Sequence, residues 1–186
     1  VIQSVYISML RGINLGKRRV KMDDLRALYE SLGLTEAKTY VQSGNVVFKS
    51  KLKDEGKLAA LIEKGIHQRY GFESDVVLRS ADELEEVVAK NPFAKRTDVV
   101  PAKLLVWFVR EAPSAAVRKA VLAVPAEPEE LKLGKREIYC YFPNGQARPK
   151  IKWASVEKAL AVPGTGRNWN SVTQLLAMAR AMEGAG

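Results

Sequence analysis

One cysteine and one histidine are all that the 186-residue sequence offers of the side chains most used for metal binding and nucleophilic catalysis. Cys140 alone cannot close an intramolecular disulfide, which fits a reducing compartment. His67 has no second histidine beside it, so zinc sites and Ser-His or Cys-His catalysis lack a constellation. No metal and no cofactor are expected. Long apolar runs are also missing: the longest, over residues 104–109, is far short of the roughly 20 residues a membrane helix needs. The sequence opens with no charged segment followed by an apolar stretch, so the expectation is a cytoplasmic protein rather than a secreted or membrane one.

What is present is a folding composition, 47% hydrophobic and 27% charged, too apolar for a disordered chain. The net charge of +9 favours anionic partners by raising their concentration near the surface. That excess is spread over both halves, so any attraction must come from the folded surface rather than from a basic tail.

Hydrophobic periodicity orders the chain. Residues 4–10 alternate as a strand, and a loop over 11–21 carries Gly12, Gly16 and a series of basic residues. Asp23 and Asp24 complement the start of a helix with the stripe Leu25, Leu28, Tyr29 and Leu32. Strands at 38–43 and 46–50 flank a turn at Gly44-Asn45. A helix through Leu58, Ile62 and Ile66 and a strand at 75–79 complete a β-α-β-β-α-β order. After a helix at 81–89 the pattern recurs: strand 103–109, helix 114–122, hairpin 131–142, helix 150–160 and a weak strand within 162–167. The expected fold is α+β, two tandem ferredoxin-like (βαββαβ) subdomains plus a C-terminal helix. The expected divisions are 1–80, a link at 81–102, 103–170, and the final helix at 171–186. Strand 104–109 is apolar on both faces, so a second cover is required, from the first subdomain or from another copy of the chain.

Two stretches carry candidate chemistry. In Arg11-Gly12-Ile13-Asn14-Leu15-Gly16-Lys17-Arg18, glycines let backbone N–H groups approach a phosphate while lysine and arginine bring charge. It is not a Walker A loop, because three residues rather than four separate the glycines and Arg18 replaces the metal-binding hydroxyl. A glycine-assisted loop with solvated charges explains it equally well. In Gly164-Thr165-Gly166-Arg167-Asn168-Trp169-Asn170, Asn170 is placed to cap the last helix, which leaves Arg167 and Asn168 as an anion clamp. A third cluster, Arg148, Lys150 and Lys152, reads as a solvated face. Cys140 alternates with Ile138 and Phe142 and is expected to be buried and inert. The hairpin 44–48 departs from the aromatic pattern of RNA-recognition domains, which disfavours an open base-stacking sheet.

Blocks of sequence also carry a resemblance: Leu10-Arg11-Gly12-Ile13-Asn14, Val20-Lys21-Met22 with Asp24-Leu25-Arg26, Thr39-Tyr40-Val41-Gln42-Ser43-Gly44-Asn45-Val46-Val47-Phe48, and Arg167-Asn168-Trp169-Asn170 with Val172. With these the chain resembles the bacterial family known as domain of unknown function 1697. The resemblance implies a tandem α+β fold and no activity.

The candidate ligand-binding residues are Arg11, Gly12, Asn14, Lys17, Gln42, Asn45, Arg167 and Asn168, with the loop at 11–17 and the segment at 164–170 expected to converge. The leading expectation is a non-catalytic binder of an anionic, phosphate-bearing partner, nucleic acid or nucleotide. The alternatives are an assembly or adaptor protein whose motifs are structural, and an enzyme acting on a small anionic substrate without metal or histidine chemistry. Oligomeric state is left open.

Overall fold

The structure is a computed structural model that describes residues 1–185. It is α+β, with two four-stranded antiparallel sheets and six α-helices among the described residues. The chain first forms β1 (Ser4–Leu10), α1 (Met22–Ser31), β2 (Thr35–Tyr40), β3 (Asn45–Ser50), α2 (Glu55–Tyr70) and β4 (Val76–Ser80), then α3 (Ala81–Ala89). It continues through β5 (Leu104–Val109), α4 (Ala115–Leu122), β6 (Glu130–Leu133), β7 (Glu137–Tyr141), α5 (Trp153–Leu160) and β8 (Gly164–Asn168) to α6 (Trp169–Gly184). The first sheet has the order β2-β3-β1-β4 and the second β6-β7-β5-β8. In each, the first strand formed sits between the third and the fourth.

Contacts divide the chain into two compact units, Val1–Glu85 with the residues from Gln174 onward, and Glu86–Thr173. The division falls inside α3 and inside α6.

In the first unit the period-2 strands and period-3.6 helices present one apolar face each. Tyr6, Leu10, Val46, Phe48, Val76 and Leu78 form a core with Leu25, Leu28, Tyr29, Leu58, Ile62 and Ile66. Each large apolar side chain so buried stabilises the fold by about 1.5–3 kcal/mol. The hydroxyl groups of Ser8 and Tyr29 share a hydrogen bond of 2.7 Å, so neither is left unsatisfied inside. In the second unit Trp107, Val109, Ile138, Cys140 and Phe142 pack with Val121, Val156 and Leu160. Trp107 meets Trp153 edge-on at 5.2 Å. The opposite face of this sheet is covered in part by the start of its own unit. Tyr139 Oη donates to the Val87 carbonyl at 2.7 Å, and Phe93 packs on Tyr141 at 6.0 Å between ring centres.

Three expected boundaries shift. The first hairpin turns over residues 41–44, earlier than Gly44-Asn45, because Val41 (φ 49°) and Gly44 (φ 84°) take the left-handed conformation. The fifth helix begins at Trp153 rather than at residue 150: the Glu129 carboxylate accepts from Lys150 N at 3.1 Å and Ile151 N at 2.9 Å, binding that segment outside the helix. The last helix begins at Trp169, and its cap is Asn168 rather than Asn170. Asn168 Oδ1 accepts the Asn170 N–H at 2.8 Å.

Candidate anion-binding surface

β1 delivers the chain into the basic loop at Leu10, whose N–H donates to Gly44 O at 2.9 Å. Arg11 is tied by its backbone: its N–H donates to Asp75 O at 2.9 Å, and its carbonyl accepts from Ser74 Oγ at 2.7 Å. Ile13 and Val20, each 3% exposed, plug the two ends of the loop into the first unit's core. Asn14 then fixes the loop's shape. Its φ of 58° turns the chain, its Oδ1 accepts from Val20 N at 2.8 Å, and its Nδ2 donates to Gln42 O at 2.7 Å. Gly44 lets the turn come this close, since a Cβ there would lie 3.0 Å from Leu10 Cβ and 3.2 Å from Ile13 Cβ.

Between these anchors Leu15, Gly16, Lys17, Arg18 and Arg19 are exposed, as is Lys21 just beyond. Lys17, Arg18, Arg19 and Lys21 form no ion pair among the described residues. Other cations are treated differently: Lys49 pairs with Glu36 at 2.8 Å, Arg96 with Asp98 and Glu130, and Arg180 with Asp82, Glu85 and Glu183. Arg18 lies over the Phe72 ring, 5.3 Å from its centre, which holds the guanidinium in place without neutralising it.

Beside the loop an open groove of about 690 Å³ is lined by Asn14, Arg19, Lys21, Gln42 and Tyr70, with Asp23 and Asp24 on its α1 side. Asp23 is bonded to Arg26, and Asp24 lies 3.8 Å from Arg69. Lys21 occupies the position preceding α1 without a side-chain cap.

The sequence-derived candidates fall in both units. Arg11, Gly12, Asn14, Lys17, Gln42 and Asn45 belong to one corner of the first unit. Of these, Lys17 and the Gln42 side chain face solvent. Asn14 and Asn45 bond within the chain, Asn45 donating to Tyr40 O and Ser43 Oγ at 2.9 Å each. Arg167 and Asn168 belong to the second unit. Asn168 caps α6 and donates to Ala102 O at 2.9 Å. Arg167 is not an exposed clamp: it is 6% exposed and donates to Thr165 Oγ1 at 2.7 Å and Gly166 O at 2.8 Å. Burial pulls its pKa down, since the charged form is the one water would stabilise.

Arg79 was missed altogether. It is 1% exposed, and it pairs across the sheet with Ile7 as Arg167 does with Val106. Each arginine is followed by a helix cap. Ser80 Oγ accepts from Glu83 N at 3.2 Å while Ser80 N donates to Glu83 Oε2 at 2.8 Å, a capping box in the position that Asn168 holds in the second unit. Both fourth strands thus end in a buried arginine, a cap and a helix with no intervening loop. The signal was there in Arg79-Ser80 and Arg167-Asn168, but the strands preceding them differ too much for the repeat to show. Arg18, Arg19 and Lys21 were also absent from the candidate set, although a run of like charge on a glycine loop marks them.

A family model described as "Protein of unknown function (DUF1697)" matches residues 4–139. Among solved structures, the conserved bacterial protein SP0830 from Streptococcus pneumoniae is similar, with 26% identity and a TM-score of 0.74. The match covers 96% of this chain and 99% of that one. No curated protein matches.

Proposed function

We propose that this chain, which belongs to the DUF1697 family and so inherits no assigned activity, is a non-catalytic binder of an anionic, phosphate-bearing partner, nucleic acid or nucleotide. One observation carries the reading: Lys17, Arg18, Arg19 and Lys21 stand exposed and without an ion pair among the described residues, on a loop anchored by Asn14, Ile13 and Val20. Like charges crowded on one loop repel each other, and an anion relieves that repulsion. A pinned loop also loses little freedom when it binds. Each charge-assisted hydrogen bond to phosphate contributes about 1.5–3 kcal/mol where water is displaced. The element order and the position of the first strand in each sheet support reading both units as ferredoxin-like subdomains, a frame on which the loop follows the first strand.

Calorimetric titration with pyrophosphate at several salt concentrations tests the proposal. Affinity should fall log-linearly with salt. The double variant Lys17→Gln/Arg19→Gln should lose it while keeping its stability within about 0.5 kcal/mol. Unchanged affinity in the variant would overturn the reading.

A second reading, an assembly or adaptor protein with structural motifs, is favoured by the intrachain bonds of Asn14, Asn45, Arg167 and Asn168. It predicts that changes at those four positions alter stability and leave anion binding untouched.

A further inference from the structure

We infer that the loop and its groove take a single nucleic-acid strand, with phosphates on the loop cations and one unpaired base in the groove. This rests on the anion-binding reading above and narrows it.

The groove is chemically mixed. Arg19 and Lys21 line it from the loop, and Asp23 and Asp24 line it from the first turn of α1. A phosphate placed inside would find beside the cations two carboxylates, drawn to Arg26 and Arg69, whose oxygens it cannot bond. A nucleobase is neutral, and its edge carries donors and acceptors side by side. Carboxylates can accept from its N–H groups, while the Gln42 amide and the Lys21 ammonium can donate to its ring nitrogens and carbonyls. Tyr70 adds a ring to the wall. The volume, about 690 Å³, lies in the range of small-molecule pockets, roughly 300–1,000 Å³.

Outside the groove the character changes. Lys17 and Arg18 are bare cations at the tip, the place for the phosphates of neighbouring nucleotides. Leu15 is 68% exposed and Val41 49%, and they flank the same corner. Apolar side chains beside cations suit a partner with sugar and base surfaces, and are of no use to free phosphate. A base inside a duplex has its pairing edge occupied, so the groove selects an unpaired strand.

The experiment compares a labelled single-stranded oligonucleotide, as DNA and as RNA, with its duplex and with tripolyphosphate, by fluorescence anisotropy and by competition. Single strands should bind at least about tenfold more tightly than duplex or tripolyphosphate. The slope of log K against log salt should be about −1.4 to −2.1 if two or three phosphates are neutralised. Gln42→Ala should weaken the oligonucleotide and leave tripolyphosphate unchanged. Lys17→Gln should lower the magnitude of the salt slope by about 0.7. A preference for DNA or RNA identifies the sugar and supports the inference in either direction. Equal affinity for duplex or tripolyphosphate, or no effect of Gln42→Ala, overturns the base in the groove and leaves the anion-binding reading standing. If no probe binds, both fall together.

Discussion

Cys140 and Arg167 show what a residue's neighbours in sequence can and cannot reveal. Cys140 sits between Ile138 and Phe142 in a period-2 pattern, and it is fully buried. Burial, with the nearby Glu129 charge adding to it, pushes its thiol up to about 12. A thiol reagent at neutral pH should therefore label the native protein no faster than it opens; rapid stoichiometric labelling would contradict this placement. Arg167 follows Gly164, Thr165 and Gly166, which read as a weak strand, and its charge beside Asn168 reads as an anion clamp. In the fold those residues are β8, and the guanidinium is buried. Gly164 and Gly166 make room for Trp107, and a Cβ on Gly164 would fall 2.8 Å from Phe108 O. Arg167→Ala should accordingly lower unfolding free energy by about 1.5–3 kcal/mol in urea, since buried charge-assisted bonds are lost. An unchanged midpoint would mean that the guanidinium contributes nothing to the fold. Gly164→Ala should cost about 1–3 kcal/mol by overpacking the same sheet, read by the same titration.

At the scale of elements, strands and helices were legible wherever one face was apolar, as in Ser4–Leu10 and in the stripe Leu25, Leu28 and Tyr29. Their ends were less so. Asn168 and Asn170 are equally good caps by type, and only the direct passage of β8 into α6 decides between them. Asn168→Ala should cost about 1 kcal/mol of stability and Asn170→Ala less than about 0.5, as measured by thermal unfolding. The reverse ranking would move the helix start by two residues. The basic loop was legible from Gly12, Gly16 and its lysines and arginines. What sequence did not show is that Asn14 acts inward, bonding Val20 and Gln42, while the outward surface falls to Lys17, Arg18, Arg19 and Lys21. Side-chain amides look alike in sequence whether they hold a ligand or a loop.

For the whole molecule, pH and chain order follow from the same burial. Tyr29, Tyr139 and Cys140 all have their pKa values raised, burial being the leading cause in each. In the unfolded chain they ionise near 9.0 for the thiol and 10.0 for the phenols; in the fold they hold their protons longer. The stabilisation this represents is complete below those values and is lost as pH climbs from about 9 toward 12. Urea midpoints should be flat around neutrality and fall steeply above pH 9, and a flat profile through pH 11 would show these groups to be hydrated. The residues from Gln174 onward complete the unit begun by Val1–Glu85, with Arg180 bonded to Asp82 and Glu85. A ribosome makes Val1–Glu85 before Glu86–Thr173, and the residues from Gln174 onward after both. Of the two units, the one begun earlier is therefore finished later, and Glu86–Thr173, contiguous along the chain, can close before it.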